Sequence, residues 1–300
     1  MAKEPRPLHG MTAAITGGAR GIGRATAQAF VRQGMKVAIG DLDLQAAQQT
    51  ASELGPGAAA FALDVTDRDS FAAFLDGTEQ QLGQLDVLVN NAGIMQIGRF
   101  LEEDDATARR QIDINLHGVI YGCKLALERM VPRDRGTVVN IASQLGKFGL
   151  PGGATYSATK HAVVGLTEAI RGELLLERSS VGVAYVMPAL VNTELASGTT
   201  LTRGVKKVEP HDVADAIVDA LQRGIVDVWV PKNVKSINKV ITLLPRRANE
   251  VVARALKADK VLYQFDPVAR HEYELRAAHS EPALDAGDAQ ARIEERSSAT

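Results

Sequence analysis

From residue 11 onward, short runs rich in β-branched and other apolar residues alternate with longer amphipathic stretches. No other feature of this 300-residue chain restricts its fold as strongly. The short runs are Met11–Thr16, Lys36–Gly40, Ala58–Leu63, Leu85–Asn90, Gly136–Ile141, Val181–Met187 and Val226–Val230, and each reads as a strand. Between them the spacing predicts helices over 20–33, 43–54, 67–82, 104–131, 155–178 and 210–223. Gly34, Gly55 and Gly83 stand where a left-handed residue closes a helix. Strands joined through helices pair in parallel by right-handed crossovers. The expected fold is therefore α/β, a doubly wound seven-stranded parallel sheet with helices on both faces.

Beyond residue 231 the pattern changes. Residues 232–260 carry eight Lys or Arg against Glu250 and Asp259, a local charge of +6. Ile237, Val240, Ile241 and Leu244 fall at helical spacing, Pro245 interrupts, and Val251, Val252, Ala255 and Leu256 resume the pattern. This predicts two short basic amphipathic helices within a helical extension over 232–280. Two uses are open for them: a membrane-surface anchor or lid over an apolar substrate, and an appendage packed on the core or on a neighbouring subunit. Glu281–Thr300 is too poor in large apolar groups to offset the entropy of ordering, and is expected to be a mobile tail.

Composition excludes several classes. Hydrophobic residues make up 45% of the chain, and a formal charge of −2 gives no overall pull toward nucleic acid. Cys123 is the single cysteine, so an intramolecular disulfide and a multi-cysteine metal site are both ruled out; its plain reading is a small buried residue on a helix. The six histidines lack metal-binding spacing. The start, MAKEPRPLHG, lacks the apolar centre of a secretory signal, and no run reaches the ~20 apolar residues of a membrane span. A cytoplasmic location is expected.

The first predicted strand runs directly into a helix through AAITGGARGIGRATAQAF (13–30). Glycines there let the backbone turn tightly and approach a ligand, while the helix offers unpaired N–H groups to a pyrophosphate. Gly17, Arg20, Gly21, Ile22 and Gly23 are the candidate contacts. The spacing G-x-x-x-G-x-G differs from the common dinucleotide pattern, and a glycine-rich turn can also be simple punctuation. Asp41 ends the second predicted strand, about twenty residues on, where nucleotide ribose hydroxyls lie in such a unit. A carboxylate accepts from both hydroxyls and repels a 2′-phosphate, and its neighbour Leu42 brings no compensating cation. Arg20 pulls the other way, because a guanidinium can pair with that phosphate. NAD is favoured over NADP; a plain helix-capping role for Asp41 is the alternative. Asp64 and Val65 end the third strand, and Asn91, Ala92 and Gly93 follow the fourth, all at the rim where open α/β sheets bind ligands.

Tyr156 and Lys160, in TYSATK (155–160), lie on one helical face. A nearby ammonium favours the phenolate and is expected to lower the tyrosine pKa toward working pH, which suits a general acid/base. Ser143, at the end of the fifth strand, reaches the same rim, where its hydroxyl can bond the same substrate oxygen.

Together TGGARGIG (16–23), Asp64-Val65, NNAG (90–93), Asn115 in QIDINLHG, Ser143, YSATK (156–160), Pro188 and Thr193 closely resemble the short-chain dehydrogenase/reductase family over residues from about 10 to 231. The resemblance implies a Rossmann-type domain over 1–231 and an NAD(P)-dependent enzyme acting on CH–OH or C=O groups. It implies that Tyr156 is the acid/base, that Lys160 tunes it and holds the nicotinamide ribose, that Ser143 steadies the substrate oxygen and that Asn115 positions a relay water. Pro188, Val191 and Thr193 would hold the carboxamide. It also implies a homo-oligomer, dimer or tetramer. Two departures stand out: Pro188-Ala189 replaces the family's Pro-Gly, and VDVWVPK with the basic extension replaces the DGG-like end of many tetrameric members.

Met95, Gln96, Ile97, Leu145, Phe148, Leu150 and Leu190 are expected to line the substrate side, and they are mostly apolar. The expected substrate is a secondary alcohol or ketone on an apolar skeleton, with peripheral membrane contact through 232–260 open. The alternatives are an NADP-dependent carbonyl reductase relying on Arg20 and a non-catalytic nucleotide-sensing protein on the same fold.

Overall fold

A computed structural model describes residues 5–199, 207–243, 245–255 and 258–279. Seven strands form: β1 (Thr12–Thr16), β2 (Lys36–Asp41), β3 (Ala58–Ala62), β4 (Leu85–Asn90), β5 (Thr137–Ile141), β6 (Gly182–Pro188) and β7 (Asp227–Val230). They pair in the order β3-β2-β1-β4-β5-β6-β7, every pair parallel. Each lies within one residue of its expected limits.

Side chains alternate across the sheet, as a strand's two-residue period requires. Ala13, Ile15, Val139 and Val186 face one core, where α1 (Gly21–Arg32), α2 (Leu44–Leu54) and α7 (Pro210–Arg223) bring Phe30, Ala47 and Ile217. Ala14, Val138, Tyr185 and Met187 face the other. There α3 (Arg68–Leu82), α5 (Gly118–Met130) and α6 (Ala154–Leu176) contribute Phe74, Cys123 and Val163. Helix starts follow their caps: Asp43 accepts from Ala46 N at 3.0 Å to begin α2, and Asp67 accepts from Asp69 N at 2.8 Å to begin α3.

The continuous helix expected over 104–131 forms, with a π-helical turn, Asp113–His117, set between α4 (Asp105–Ile112) and α5. The extra residue in that turn brings Asn115 inward, where both ends of its amide bond the backbone of Ile94; the tertiary bonds offset the looser local ladder. Cys123 is buried as expected, and burial pushes its thiol up to about 11, but it sits in a polar setting. Asn90 Nδ2 donates to Asn140 Oδ1 at 2.8 Å, and the Asn140 amide lies beside the sulfur.

The two short helices of the extension form as expected, α8 (Val234–Leu243) and α9 (Arg246–Ala255), on either side of Pro245. Leu244, Leu256 and Glu281–Thr300 lie outside the described residues. A third helix, α10 (Pro267–His279), has no counterpart in the periodicity, because its inward face carries Arg270, Tyr273 and Ala277. Among the described residues no helix is long and apolar enough to cross a membrane.

Phe74 is 1% exposed and meets Phe61 edge to face with ring centroids 5.7 Å apart. Replacing it with Ala should remove about 3–5 kcal/mol of unfolding free energy in urea denaturation, from lost burial and a residual cavity. A loss below about 1 kcal/mol would mean that the core refills the space.

Candidate active site

The turn between β1 and α1 tolerates little besides glycine. A Cβ on Gly17, whose φ is +60°, would stand 2.9 Å from the Ala92 backbone, and one on Gly23 would stand 2.3 Å from the Gly17 carbonyl. The turn is also tied to the fourth strand. Asn91 Nδ2 donates to the carbonyls of Thr16 and Gly17, each at 2.9 Å, while the Asn91 and Ala92 N–H groups both donate to Thr16 Oγ1 at 3.0 Å. The Asn91 side chain thus shapes the turn and leaves ligand approach to the backbone of Ala92 and Gly93. No acidic side chain occupies the first turn of α1, and Arg20 at its cap makes no capping bond. A close backbone approach beside open N–H groups fits a pyrophosphate, so these residues suit a dinucleotide. Ile22 packs partly buried against the neighbouring core, and Thr193 closes the far side, its methyl 3.2 Å from where a Gly21 Cβ would be.

At the end of β2 the Asp41 carboxylate accepts from Ala19 N at 3.0 Å and from Asp43 N at 3.1 Å, joining that strand to the glycine turn. It does not cap α2, since Asp43 does. Arg20 pairs with Asp43 at 2.5 Å, and Leu42 is exposed at the rim. Asp64 turns back on its own loop, accepting from Thr66 N at 2.9 Å, and Val65 is buried under Gly118. Pro188 ends β6, and Val191 bridges to Val208.

β5 and α6 bring the reacting groups together. Ser143, two residues past β5, and Tyr156, in the first turn of α6, come close enough for the Ser143 hydroxyl to favour the Tyr156 phenolate. Lys160 lies one turn further on, and its Nζ donates to the Ile141 carbonyl at 2.8 Å and stands 5.6 Å from the Tyr156 ring centroid. The Asn115 amide faces the same spot but is committed to Ile94: Oδ1 accepts from Ile94 N and Nδ2 donates to Ile94 O, both at 2.8 Å. Its side chain therefore holds the loop after β4.

Around Tyr156 the surface is apolar. Met95, Leu145, Val261 and Leu262 are buried with it, and Ile97, Leu150, Leu190 and Leu195 pack alongside. Phe148 does not join them: the short helical turn at Gln144–Gly146 points Leu145 inward and leaves Phe148 37% exposed. Val261, Leu262, Arg270 and Tyr273 were missed by sequence reasoning. The i, i+3, i+7 placement of Arg270, Tyr273 and Ala277 is a helical stripe, but an arginine on it reads as a solvent face.

A family model described as short chain dehydrogenase matches residues 11–204. The chain belongs to that family. Among relatives of this short-chain dehydrogenase, a sorbitol dehydrogenase of Cereibacter sphaeroides is 39% identical over 209 residues, 67% of this chain and 81% of that protein. The putative oxidoreductase SadH of Mycobacterium tuberculosis is 30% identical over 262 residues, 82% of this chain and 95% of that one. A crystal structure of a short chain dehydrogenase/reductase from Burkholderia phymatum in complex with NAD superposes with a TM-score of 0.72 at 26% identity, covering 78% of this chain and 93% of that one.

The electrostatics of this short-chain dehydrogenase correct one expectation. Burial pushes the Tyr156 phenol up to about 12, with the neighbouring Ser143 hydroxyl pulling the other way. Lys160 does not bring it down, because its ammonium is itself desolvated, 5% exposed, and held by a carbonyl; burial lowers it to about 8. Both shifts feed into stability. Unfolding returns Lys160 to its ordinary 10.5, so the unfolded chain binds more protons between pH 8 and 10.5 and this group adds stability as pH rises through that window. Tyr156 acts oppositely, losing stability from pH 10 to about 12. Lys160→Met should therefore stabilise the ligand-free protein at pH 7 by on the order of 3 kcal/mol, with the gap closing by pH 10.5. Equal pH profiles for both proteins in urea denaturation would show that Lys160 is not desolvated.

Proposed function

We propose that this short-chain dehydrogenase interconverts a secondary alcohol and its ketone on an apolar carbon skeleton, using NAD(H), with Tyr156 as general acid/base. The observation that carries the reading is the convergence of Ser143, Tyr156 and Lys160 at one end of α6, beside a wall of Met95, Leu145, Leu190 and Leu195. When bound, the nicotinamide ring supplies the hydride acceptor for oxidation or the donor for reduction. Tyr156 Oη then takes the proton from the alcohol oxygen, or returns it to the ketone oxygen, while Ser143 Oγ bonds that same oxygen. With a pKa pushed up to about 12, Tyr156 holds its proton at pH 7 and is ready to donate in the reductive direction. The oxidative direction needs the phenolate, and the Ser143 hydroxyl is the group that favours it. Asn115 acts from behind by holding Ile94 beside Gly93.

NAD is supported by Asp41 at the end of β2 and by the engagement of Arg20 with Asp43, which leaves the guanidinium balanced by carboxylates where a 2′-phosphate would need it. The NAD named in the Burkholderia phymatum structure agrees. A polyol substrate is the second reading, favoured by the name of the Cereibacter sphaeroides relative. It fits poorly with the apolar wall, since buried hydroxyls need partners.

Three measurements test this. Tyr156→Phe should lower turnover about 10²–10⁴-fold and leave stabilisation by NADH in place; turnover within tenfold of wild type would remove Tyr156 from the role, and a nucleotide sensor would show no turnover to lose. NADH should raise the melting temperature more than NADPH at equal concentration, and the reverse would point to a reductase using Arg20. On a panel of alcohols graded in size and polarity, bulky apolar secondary alcohols should give the highest kcat/KM, whereas activity confined to polyols would favour the second reading.

A further inference from the structure

We propose that α10 is an intramolecular clasp on the substrate wall, with Arg270 and Tyr273 as its positioning residues. The inference rests on the alcohol/ketone reading above for its kinetic part, and on geometry alone for the rest. Met95 belongs to the buried cluster around Tyr156, and both of its backbone polar groups are taken by α10. Its N–H donates to Tyr273 Oη at 2.7 Å, and its carbonyl accepts from Arg270 Nη2.

Arg270 also reaches a second loop. Its Nη1 donates to the carbonyls of Leu195 at 3.1 Å and Ser197 at 3.0 Å, beyond β6, while Nε pairs with Glu274 at 2.7 Å. One side chain, 0% exposed, thus bonds the loop after β4 to the loop after β6, the two segments that supply Met95 and Leu195 to the wall. A planar guanidinium with donors spread around its edge can serve three carbonyls and a carboxylate together; an ammonium on the same stem reaches fewer. The second loop is bound to the start of α10 as well. Asp266 N donates to the Gly198 carbonyl at 2.8 Å, and a Cβ on Gly198, with φ at +68°, would stand 2.4 Å from the Asp266 carbonyl.

The segment leading into α10 closes the wall. Leu262 is 2% exposed, and a Cβ on Gly152 or Gly153 would stand 2.6 Å from its backbone or 2.7 Å from its Cδ1. Leu262 therefore rests on the turn that begins α6, the helix bearing Tyr156. An unpaired guanidinium at this depth would be costly, so the bonds of Arg270 act as a set that holds both loops in one arrangement.

Tyr273→Phe keeps the ring packing and removes the acceptor for Met95 N–H, and Arg270→Lys keeps the charge and removes the fork. With NAD and a bulky secondary alcohol, each variant should raise the alcohol KM about tenfold while the KM for NAD stays at the wild-type value. Hydrogen–deuterium exchange of the Met95 amide should quicken about tenfold in Tyr273→Phe. A lower melting temperature with unchanged alcohol KM and unchanged Met95 exchange would overturn the clasp and leave α10 a merely stabilising element. If Arg270→Lys does not fold, Tyr273→Phe decides. If the wild-type protein oxidises no secondary alcohol, the functional reading fails separately. Met95 exchange then decides the clasp: quickening supports it and wild-type protection overturns it.

Discussion

Parallel pairing of all seven strands sets every carboxyl end on one edge of the sheet, and the groups discussed above gather on that edge. The Gly17 turn follows β1, Asp41 ends β2, Asn91 to Gly93 follow β4, Ser143 follows β5 and Pro188 ends β6. A parallel sheet needs crossovers, so the same constraint that creates the rim returns each helix to it by its N-terminus. Open backbone N–H groups then face whatever binds there. The rim is stiffened from within by Asn91 and Thr16, which bond β1's turn to β4's, and by Asp41, which bonds β2's end to the same turn. A site assembled from five strands keeps its geometry because each loop is fastened to its neighbour.

Against that frame the enclosed ammonium of Lys160 is the costly element. It has a main-chain carbonyl, and no carboxylate among the described residues, as partner. A carbonyl holds the head in place and leaves the positive charge uncancelled. Burying that charge lowers stability at neutral pH, a cost of the kind that collects where a site's function conflicts with its folding.

The strands were legible because residues buried on both faces read as unbroken apolar runs, and the helix ends because Gly55 and Gly83 leave local signatures. The π-helical turn at Asp113–His117 was not, since every residue there is compatible with an α-helix and the contact with Ile94 favours the wider turn. Tyr156 and Lys160 were found from their spacing, and Ser143 from its strand end. The balance of charges around them was not, because burial depends on what covers the site, and part of that cover comes from Val261 and Leu262. Arg270 escaped for the opposite reason: taken residue by residue, a charged side chain in a charged helix belongs outside, and only the three carbonyls awaiting it say otherwise.

That inversion bears on how a shared rim acquires different substrates. The family match ends at residue 204, and the residues that close the apolar wall lie after it. The proposed reacting groups Ser143, Tyr156 and Lys160 and most of the wall thus lie within the matched region, while Val261, Leu262, Arg270 and Tyr273, which complete and hold the wall, lie beyond it. Part of the contact between the two stretches runs through the backbone of Met95 and the glycines before α6, and part through Val261 and Leu262 packing with Tyr156. Backbone bonds transmit position with little dependence on the side chains nearby. A wall held in this way can change in size or polarity while the loops that carry it stay in register with Tyr156.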